Sequence, residues 1–233
     1  LVDAHDQLIR TEKLASVGQL AAGVAHEIGN PIGVIIGYLE MLEDESADEA
    51  FRMDANQQIR TATERIQGTI QDLLDFSRPA ADEEAASNLA AETESIVRFV
   101  SPQKRFRNVD IDVATLDPDV PLSAMPPSRY KQVLLNLLFN AADAMGGEGR
   151  IAVRLASHDE GVQVTVRDTG RGISEKVMLR IFDPFYTTKE VGEGTGLGLF
   201  VSHTIMNRYN GRIEVSSPLD GGALFTLVMP AVD

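Results

Sequence analysis

Between Val17 and Leu42 apolar residues recur at alternating steps of four and three, as Val17, Ala21, Val24, Ile28, Pro31, Ile35, Tyr38 and Leu42. That spacing keeps one face of a helix apolar turn after turn, the pattern of a helix packed in a coiled-coil or bundle seam. Upstream the register loosens, with Leu1, Leu8, Ile9 and Leu14 as the apolar candidates, and downstream the acidic run from Glu43 to Asp48 reads as a loop. A second periodic stretch carries Ile59, Ala62, Ile66, Ile70, Leu73 and Phe76 on one face. It stops near Ser77-Arg78-Pro79, because proline cannot continue a helix. The two stretches predict an antiparallel helical hairpin. Two helices joined by a short loop bury little alone, so arms this apolar predict a homodimer that closes a four-helix bundle. Packing on the remainder of the same chain is the alternative.

Residues 80–87 are rich in Ala and acids without periodicity and read as a linker, which separates a helical domain at 1–79 from a second domain at 88–233. Beyond it the pattern changes. Residues 88–105 read as a helix, 109–114 alternate like a strand, and 128–145 are strongly helical, with Ser128 as N-cap and Gly146-Gly147 as the stop. Strand-like runs follow at 150–156, 162–167, 212–216 and 223–229, and a helix fits 197–209. Strands in antiparallel succession among several helices predict a two-layer α/β sandwich, so the whole chain is expected to be α plus α/β.

Composition removes several kinds of chemistry. With 21 Lys plus Arg against 35 Asp plus Glu, the charge of 21 − 35 = −14 argues against a nucleic-acid partner. The chain has no cysteine, which excludes disulfides, thiolate zinc sites and cysteine nucleophiles. No apolar run reaches the roughly 18–20 residues of a membrane-spanning helix, and no signal-peptide pattern opens the chain. A soluble cytoplasmic piece without membrane contact is expected. Because it starts at Leu1 rather than Met, it is expected to come from a longer protein that could be anchored elsewhere.

If Val24 is d and Ile28 is a, His26 falls at f, remote from the packed seam, with Glu27 beside it and Asn30 one turn on. An exposed histidine is more often a plain surface residue. Pro31 shifts that balance, since it removes a backbone hydrogen bond and is expected to kink the helix within about one turn of His26. A neutral imidazole nitrogen is a competent nucleophile near pH 7, and Glu27 can orient the ring and take its proton. The run His26-Glu27-Ile28-Gly29-Asn30 approaches the zinc-protease pattern, but Asn30 stands where the second imidazole belongs.

Three constellations in the second half belong together. Asn136 and Asn140 share a helix face, and an amide oxygen suits a Mg²⁺ ion that keeps several waters and is shared with phosphates; Asn pairs also cap and bridge. Asp168-Thr169-Gly170-Arg171-Gly172-Ile173 follows an apolar strand. Its carboxylate can accept from an exocyclic amine such as adenine's while the glycines allow close backbone approach, or the segment is a plain turn. Gly192-Glu193-Gly194-Thr195-Gly196-Leu197-Gly198-Leu199 opens a helix, where free amides make an anion cradle. It lacks the Gly-Lys-Ser/Thr of a Walker A loop, and the glycine spacing is wrong for a dinucleotide fingerprint.

Taken in order, these residues resemble the sensor histidine kinases of two-component signalling. Residues 14–31, around Ala25-His26-Glu27-Ile28-Gly29-Asn30-Pro31, are similar to the H box of the dimerisation and phosphotransfer domain. Residues 132–145 look like the N box, 168–173 the first glycine box, Phe182-Asp183-Pro184-Phe185-Tyr186-Thr187-Thr188-Lys189 the F box, and 194–199 the second glycine box of a Bergerat-type ATP-binding domain. The resemblance implies that His26 receives the γ-phosphoryl group of ATP and passes it to an aspartate on a response-regulator receiver domain, with Glu27 assisting proton removal. It implies that Asn140 coordinates Mg²⁺ with Asn136 nearby, and that Asp168 reads adenine with Gly170, Gly172 and Ile173 around it. Lys189 and the backbone of Gly194, Thr195, Gly196, Leu197 and Gly198 would hold the phosphates, under a lid at 182–191. Asn30 would position the water for a phosphatase activity. Gly29 departs from the family, which usually has a basic or polar residue there.

Two rivals are weighed against this reading. A conformational ATPase of the same fold places a water-activating glutamate on the N-box helix, and residues 132–145 offer Asp143 but no Glu. A non-catalytic ATP-binding scaffold would have no use for His26, Glu27, Asn140 and Lys189 together. His5, His158 and His203 read as structural or solvated.

Overall fold

The structure is a computed structural model that describes residues 28–43, 48–77, 86–189, 196–219 and 221–232. The chain divides into two compact units, Leu1–Arg78 with Thr187–Gly196, and Pro79–Tyr186 with Leu197–Asp233.

The first unit contains α1, helical over 28–42, and α2, Glu49–Ser77. Asp48 starts α2 by accepting the Phe51 amide at 2.7 Å, so the last acid of the expected loop is a helix cap. The expected seam holds along α1: Pro31 is buried within the helix, and Ile28, Ile35, Tyr38 and Leu42 are half-buried. At the turn Tyr38 meets Phe51, with ring centroids 6.5 Å apart. On α2, Ala55 and Ala62 are buried and Ile59 and Ile66 half-buried, whereas Ile70, expected on the same face, is 42% exposed in this single copy. The side chains of Leu73 and Phe76 lie outside the described residues, as do 1–27 with His5, His26 and Glu27.

The second unit is a five-stranded sheet covered by helices on one face. In chain order it contains α3 (Leu89–Val100), a 3-10 turn (Lys104–Phe106), β1 (Asn108–Thr115), α4 (Pro127–Ala144), β2 (Glu148–His158), β3 (Gly161–Asp168), α5 (Glu175–Met178), α6 (Gly198–Arg208), β4 (Arg212–Ser216) and β5 (Leu224–Pro230). The strand order is β1-β2-β3-β5-β4. Period two explains the layering: Val162, Val164 and Val166 of β3 and Ile151, Val153 and Leu155 of β2 are buried, while Gln163, Thr165, Arg167, Ala152 and Arg154 alternate outward. Against the inward face α4 sets Tyr130, Val133, Leu134, Leu137, Leu138, Ala141 and Ala142, the three-four spacing of a core helix.

Three local expectations are corrected. The strands are not all antiparallel, since β1 pairs β2 in parallel from Asn108↔Glu148 to Thr115↔Leu155. The helix α4 between them provides the crossover that a parallel pair requires. Ser128 is not the N-cap of α4; the helix begins at Pro127 after Pro126, because proline at the first helical position has a suitable φ and no amide to satisfy. The helix α3 ends at Val100 rather than 105, stopped by Pro102, and the chain resumes as a 3-10 turn that buries Phe106. The short α5 had no trace in the pattern. Ser87, the last residue of the expected linker, is buried and bridges Ser123, with its hydroxyl donating to the Met125 carbonyl at 2.7 Å.

Candidate active site

Asp168 is the inward position that follows Val162, Val164 and Val166 on β3, so strand geometry carries a carboxylate into the core side of the sheet, where it is 4% exposed. Its Oδ1 accepts the amides of Gly170 at 2.8 Å and Ala223 at 3.2 Å. Among the described residues no donor reaches Oδ2, which leaves that oxygen to accept. Burial pushes the carboxyl above the ordinary aspartate range, and the two amide donors pull part of the way back.

Backbone wraps this carboxylate from both sides. Gly222 donates its amide to the Gly170 carbonyl at 3.0 Å, and the Asp168 amide donates to Ala223 O at 3.0 Å. At Gly222, φ is +77° and a Cβ would run into the Asp168 carbonyl, so only glycine fits. Gly170 is equally confined, because a Cβ there would lie 2.8 Å from Ala144 O at the end of α4. Ser217 closes the ring, accepting the Ile173 amide at 3.0 Å and donating to Gly222 O at 3.0 Å. Ser217, Gly222 and Ala223 were not anticipated. The pair Gly221-Gly222 between two strand-like runs is their one trace in the sequence.

The same helix carries the other half of the site. The Asn136 amide donates to Gly198 O at 3.0 Å and to Ser202 Oγ at 3.3 Å, and Ser202 itself donates to Gly198 O at 2.9 Å. Asn136 thus ties the start of α6 to α4. Leu197 precedes α6 almost wholly buried, and no side chain caps that helix terminus. Asn140, one turn from Asn136 on the same face, is half-buried, and among the described residues its amide has no hydrogen-bond partner. Asp143, a turn further, is held by Arg105 at 2.7 Å, and that guanidinium also lies over the Phe139 ring.

The helix α4 therefore joins the expected residues. Its C-terminal end meets Gly170, and the Arg171 amide donates to Ala144 O at 3.3 Å; Asn136 meets Gly198 eight residues earlier, ~12 Å along the axis. Asp168, Gly170, Gly172, Ile173, Asn136, Asn140, Leu197 and Gly198 all fall in the second unit. Lys189 and Gly196 fall in the segment grouped with the hairpin, where the Lys189 amide turns back onto Thr187 Oγ1 at 3.1 Å. Asn30 is half-buried on α1, and beside it Gly29 is exposed with nothing within 4 Å of a Cβ position. His26, Glu27, Gly194 and Thr195 lie outside the described residues.

Among the described residues no three His, Cys, Asp or Glu side chains cluster to hold a metal.

Two family models match this chain. Residues 16–82 match the His Kinase A (phospho-acceptor) domain, and residues 125–233 match the histidine kinase-, DNA gyrase B-, and HSP90-like ATPase. The chain belongs to the sensor histidine kinases. The signal transduction histidine-protein kinase AtoS of Escherichia coli (strain K12) is 35% identical over 229 residues, which are 98% of this chain and 37% of AtoS. This histidine kinase chain spans less than half the length of the curated relatives it matches. Among solved structures, histidine kinase ThkA in complex with response regulator protein TrrA superposes with a TM-score of 0.83 at 28% identity, over 100% of this chain and 67% of that one. ShkA full-length in complex with AMPPNP gives 0.64 at 26% identity, over 92% and 47%.

Proposed function

We propose that this chain is the catalytic part of an ATP-dependent protein-histidine kinase that phosphorylates itself on His26 and passes the phosphoryl group to an aspartate of a response-regulator receiver domain. The observation that carries the reading is Asp168. It is a buried carboxylate whose Oδ1 is engaged by two amides and whose Oδ2 is left to accept, which matches an adenine amine. The helix α4 leads from there past Asn140 to Gly198, over a length comparable with a nucleoside triphosphate.

Each residue has a separate task. Asp168 orients the base, while Gly170, Gly172 and Ile173 supply close backbone around it. Asn136 fixes the start of α6, whose first-turn amides favour anionic oxygens. Asn140 offers its amide oxygen to Mg²⁺, and Lys189 with the glycine-rich segment 194–198 neutralises phosphate charge. When bound, the metal ion supplies charge neutralisation on the phosphate oxygens. A neutral nitrogen of His26 forms the new N–P bond as the bond from the γ-phosphorus to the bridging oxygen breaks, and Glu27 takes the ring proton. Little covalent help is needed beyond positioning and charge. Asn30 is read as the residue that positions water for dephosphorylation of the partner.

Both outside findings agree in kind, since ThkA is seen with a response regulator and ShkA with an ATP analogue. A homodimer is supported by α1, where Ile32, Val34, Ile36, Leu39 and Met41 are 42–57% exposed in one copy. The conformational-ATPase reading loses ground because Asp143, the acid available on α4, is paired with Arg105.

Incubation with Mg-ATP labelled at the γ-phosphate tests the reading. Label that is stable in base, labile in acid and transferable to a receiver domain is expected, because a phosphoramidate has those properties. Acid-stable label or none counts against it.

A further inference from the structure

The F-box segment opens on Phe182, and this ring stacks on His203 of α6 with centroids 5.1 Å apart and planes 28° from parallel. The imidazole is held in turn by Asn207 one turn further on, whose Nδ2 lies 3.3 Å from Nδ1. Nothing in the nucleotide reading uses His203. The segment it contacts is braced internally: Arg180 reaches Asp183 Oδ2 at 3.2 Å and lies 4.6 Å from the Tyr186 ring centroid. Backbone bonds from Asp183 N to Arg180 O and from Tyr186 N to Asp183 O fold it tightly, and Phe185 takes φ of +63°, a strained value for a non-glycine residue. Residues 180–186 therefore behave as one plug whose orientation is set where Phe182 meets its support.

That support is the helix that begins at Gly198. Five residues at 1.5 Å each place His203 ~7.5 Å along α6 from Gly198, whose carbonyl is bound by Asn136. Phe182, which precedes Lys189 in the chain, is thus anchored on the helix that Gly198 begins.

We propose that His203 is a positioning residue for phosphoryl transfer, acting through its ring stack on Phe182 to set where the F-box segment departs from the nucleotide-binding unit. This rests on the kinase reading above. The adenine contacts at Asp168 lie elsewhere, so the stack affects the rate of transfer more than affinity. An aromatic pair of this kind corresponds to about two- to tenfold in rate.

The test uses the full chain, with autophosphorylation kinetics and calorimetric ADP binding. His203→Ala is expected to lower kcat about two- to tenfold, with ADP affinity within about twofold of wild type. His203→Phe, which keeps a ring against Phe182, is expected to restore the rate. In a Phe182→Ala background, His203→Ala is expected to have no further effect. An undiminished rate in His203→Ala overturns the proposal, as does a loss that His203→Phe does not rescue or that adds fully to Phe182→Ala. Wild-type chain that takes up no label overturns the kinase reading itself, and the positioning role with it.

Discussion

The burial of Asp168 is written in the period of its strand, because Val162, Val164 and Val166 point inward and the next inward position is the carboxylate. The sequence shows that alternation directly. It does not show what surrounds the carboxylate, because Ser217, Gly222 and Ala223 arrive from a turn some fifty residues later, and the Gly221-Gly222 pair marks that turn without saying what it packs against. Burial penalises the ionised form, so its folded value is raised and the sign follows. Neutral Asp168 favours the fold fully below about pH 3.9, the unfolded value, and that contribution is lost as pH rises through the folded value. Binding has the opposite preference, since Oδ1 is engaged by two amides and a proton on Oδ2 would turn the oxygen left to accept into a donor. Nucleotide affinity is therefore expected to fall on acidification at a pH above the usual aspartate range, which calorimetry across pH 4–8 reads. Asp168→Asn is expected to weaken ADP about 10–100-fold, since hydrogen bonds to charged groups contribute about 1.5–3 kcal/mol, while melting no lower at pH 7. Unchanged affinity removes Asp168 from the base site. Gly222→Ala is expected to cost at least about 2 kcal/mol in urea unfolding, because its positive φ and the Asp168 carbonyl both exclude a methyl group.

Among the elements, α1 shows how a seam can be read correctly and still be half the answer. The three-four spacing of Ile28, Pro31, Ile35, Tyr38 and Leu42 marks the face that is covered within one hairpin. Ile32, Ile36 and Leu39 repeat the spacing one step round the helix and stay exposed. A bundle helix needs both faces, one for its own α2 and one for the second copy. Ile36→Glu with Leu39→Glu is expected to convert the proposed dimer to monomer in sedimentation without unfolding the second unit; an unaltered dimer places the interface elsewhere. In the sheet, periodicity located β1 to β5, but direction is invisible to it. The parallel β1–β2 pair follows from a crossover helix, and the two strands are also joined by Arg154 and Arg150 on Asp112. Those guanidinium groups hold the Asp112 carboxyl below its usual range, so their contribution is present above the unfolded value and lost as pH falls through the folded one.

Across the whole molecule, the proposed acceptor and the proposed donor site fall on different sides of the linker, His26 in the first unit and Asp168, Asn140 and Gly198 in the second. Motif order puts the H box before the Ala- and acid-rich stretch and the N, glycine and F boxes after it, whereas the compact units group Thr187–Gly196, with Lys189, with the first. Separate units imply separable defects. His26→Gln removes the nucleophilic nitrogen and leaves the residues of the proposed base site unchanged, so label from ATP is expected to vanish while Mg-ADP affinity stays within about twofold, less than about 0.5 kcal/mol. Asn140→Ala removes the amide offered to the metal and leaves the imidazole intact. Mg²⁺-dependent nucleotide affinity is then expected to fall, and label with it, although a chain with wild-type Asn140 can still use the mutant's His26 if transfer crosses between copies. Calorimetry on each variant with and without Mg²⁺, beside filter-bound label, distinguishes the two defects. If His26→Gln labels as well as wild type, the acceptor is another residue; if Asn140→Ala binds nucleotide with undiminished Mg²⁺ dependence, the ion is held without that amide.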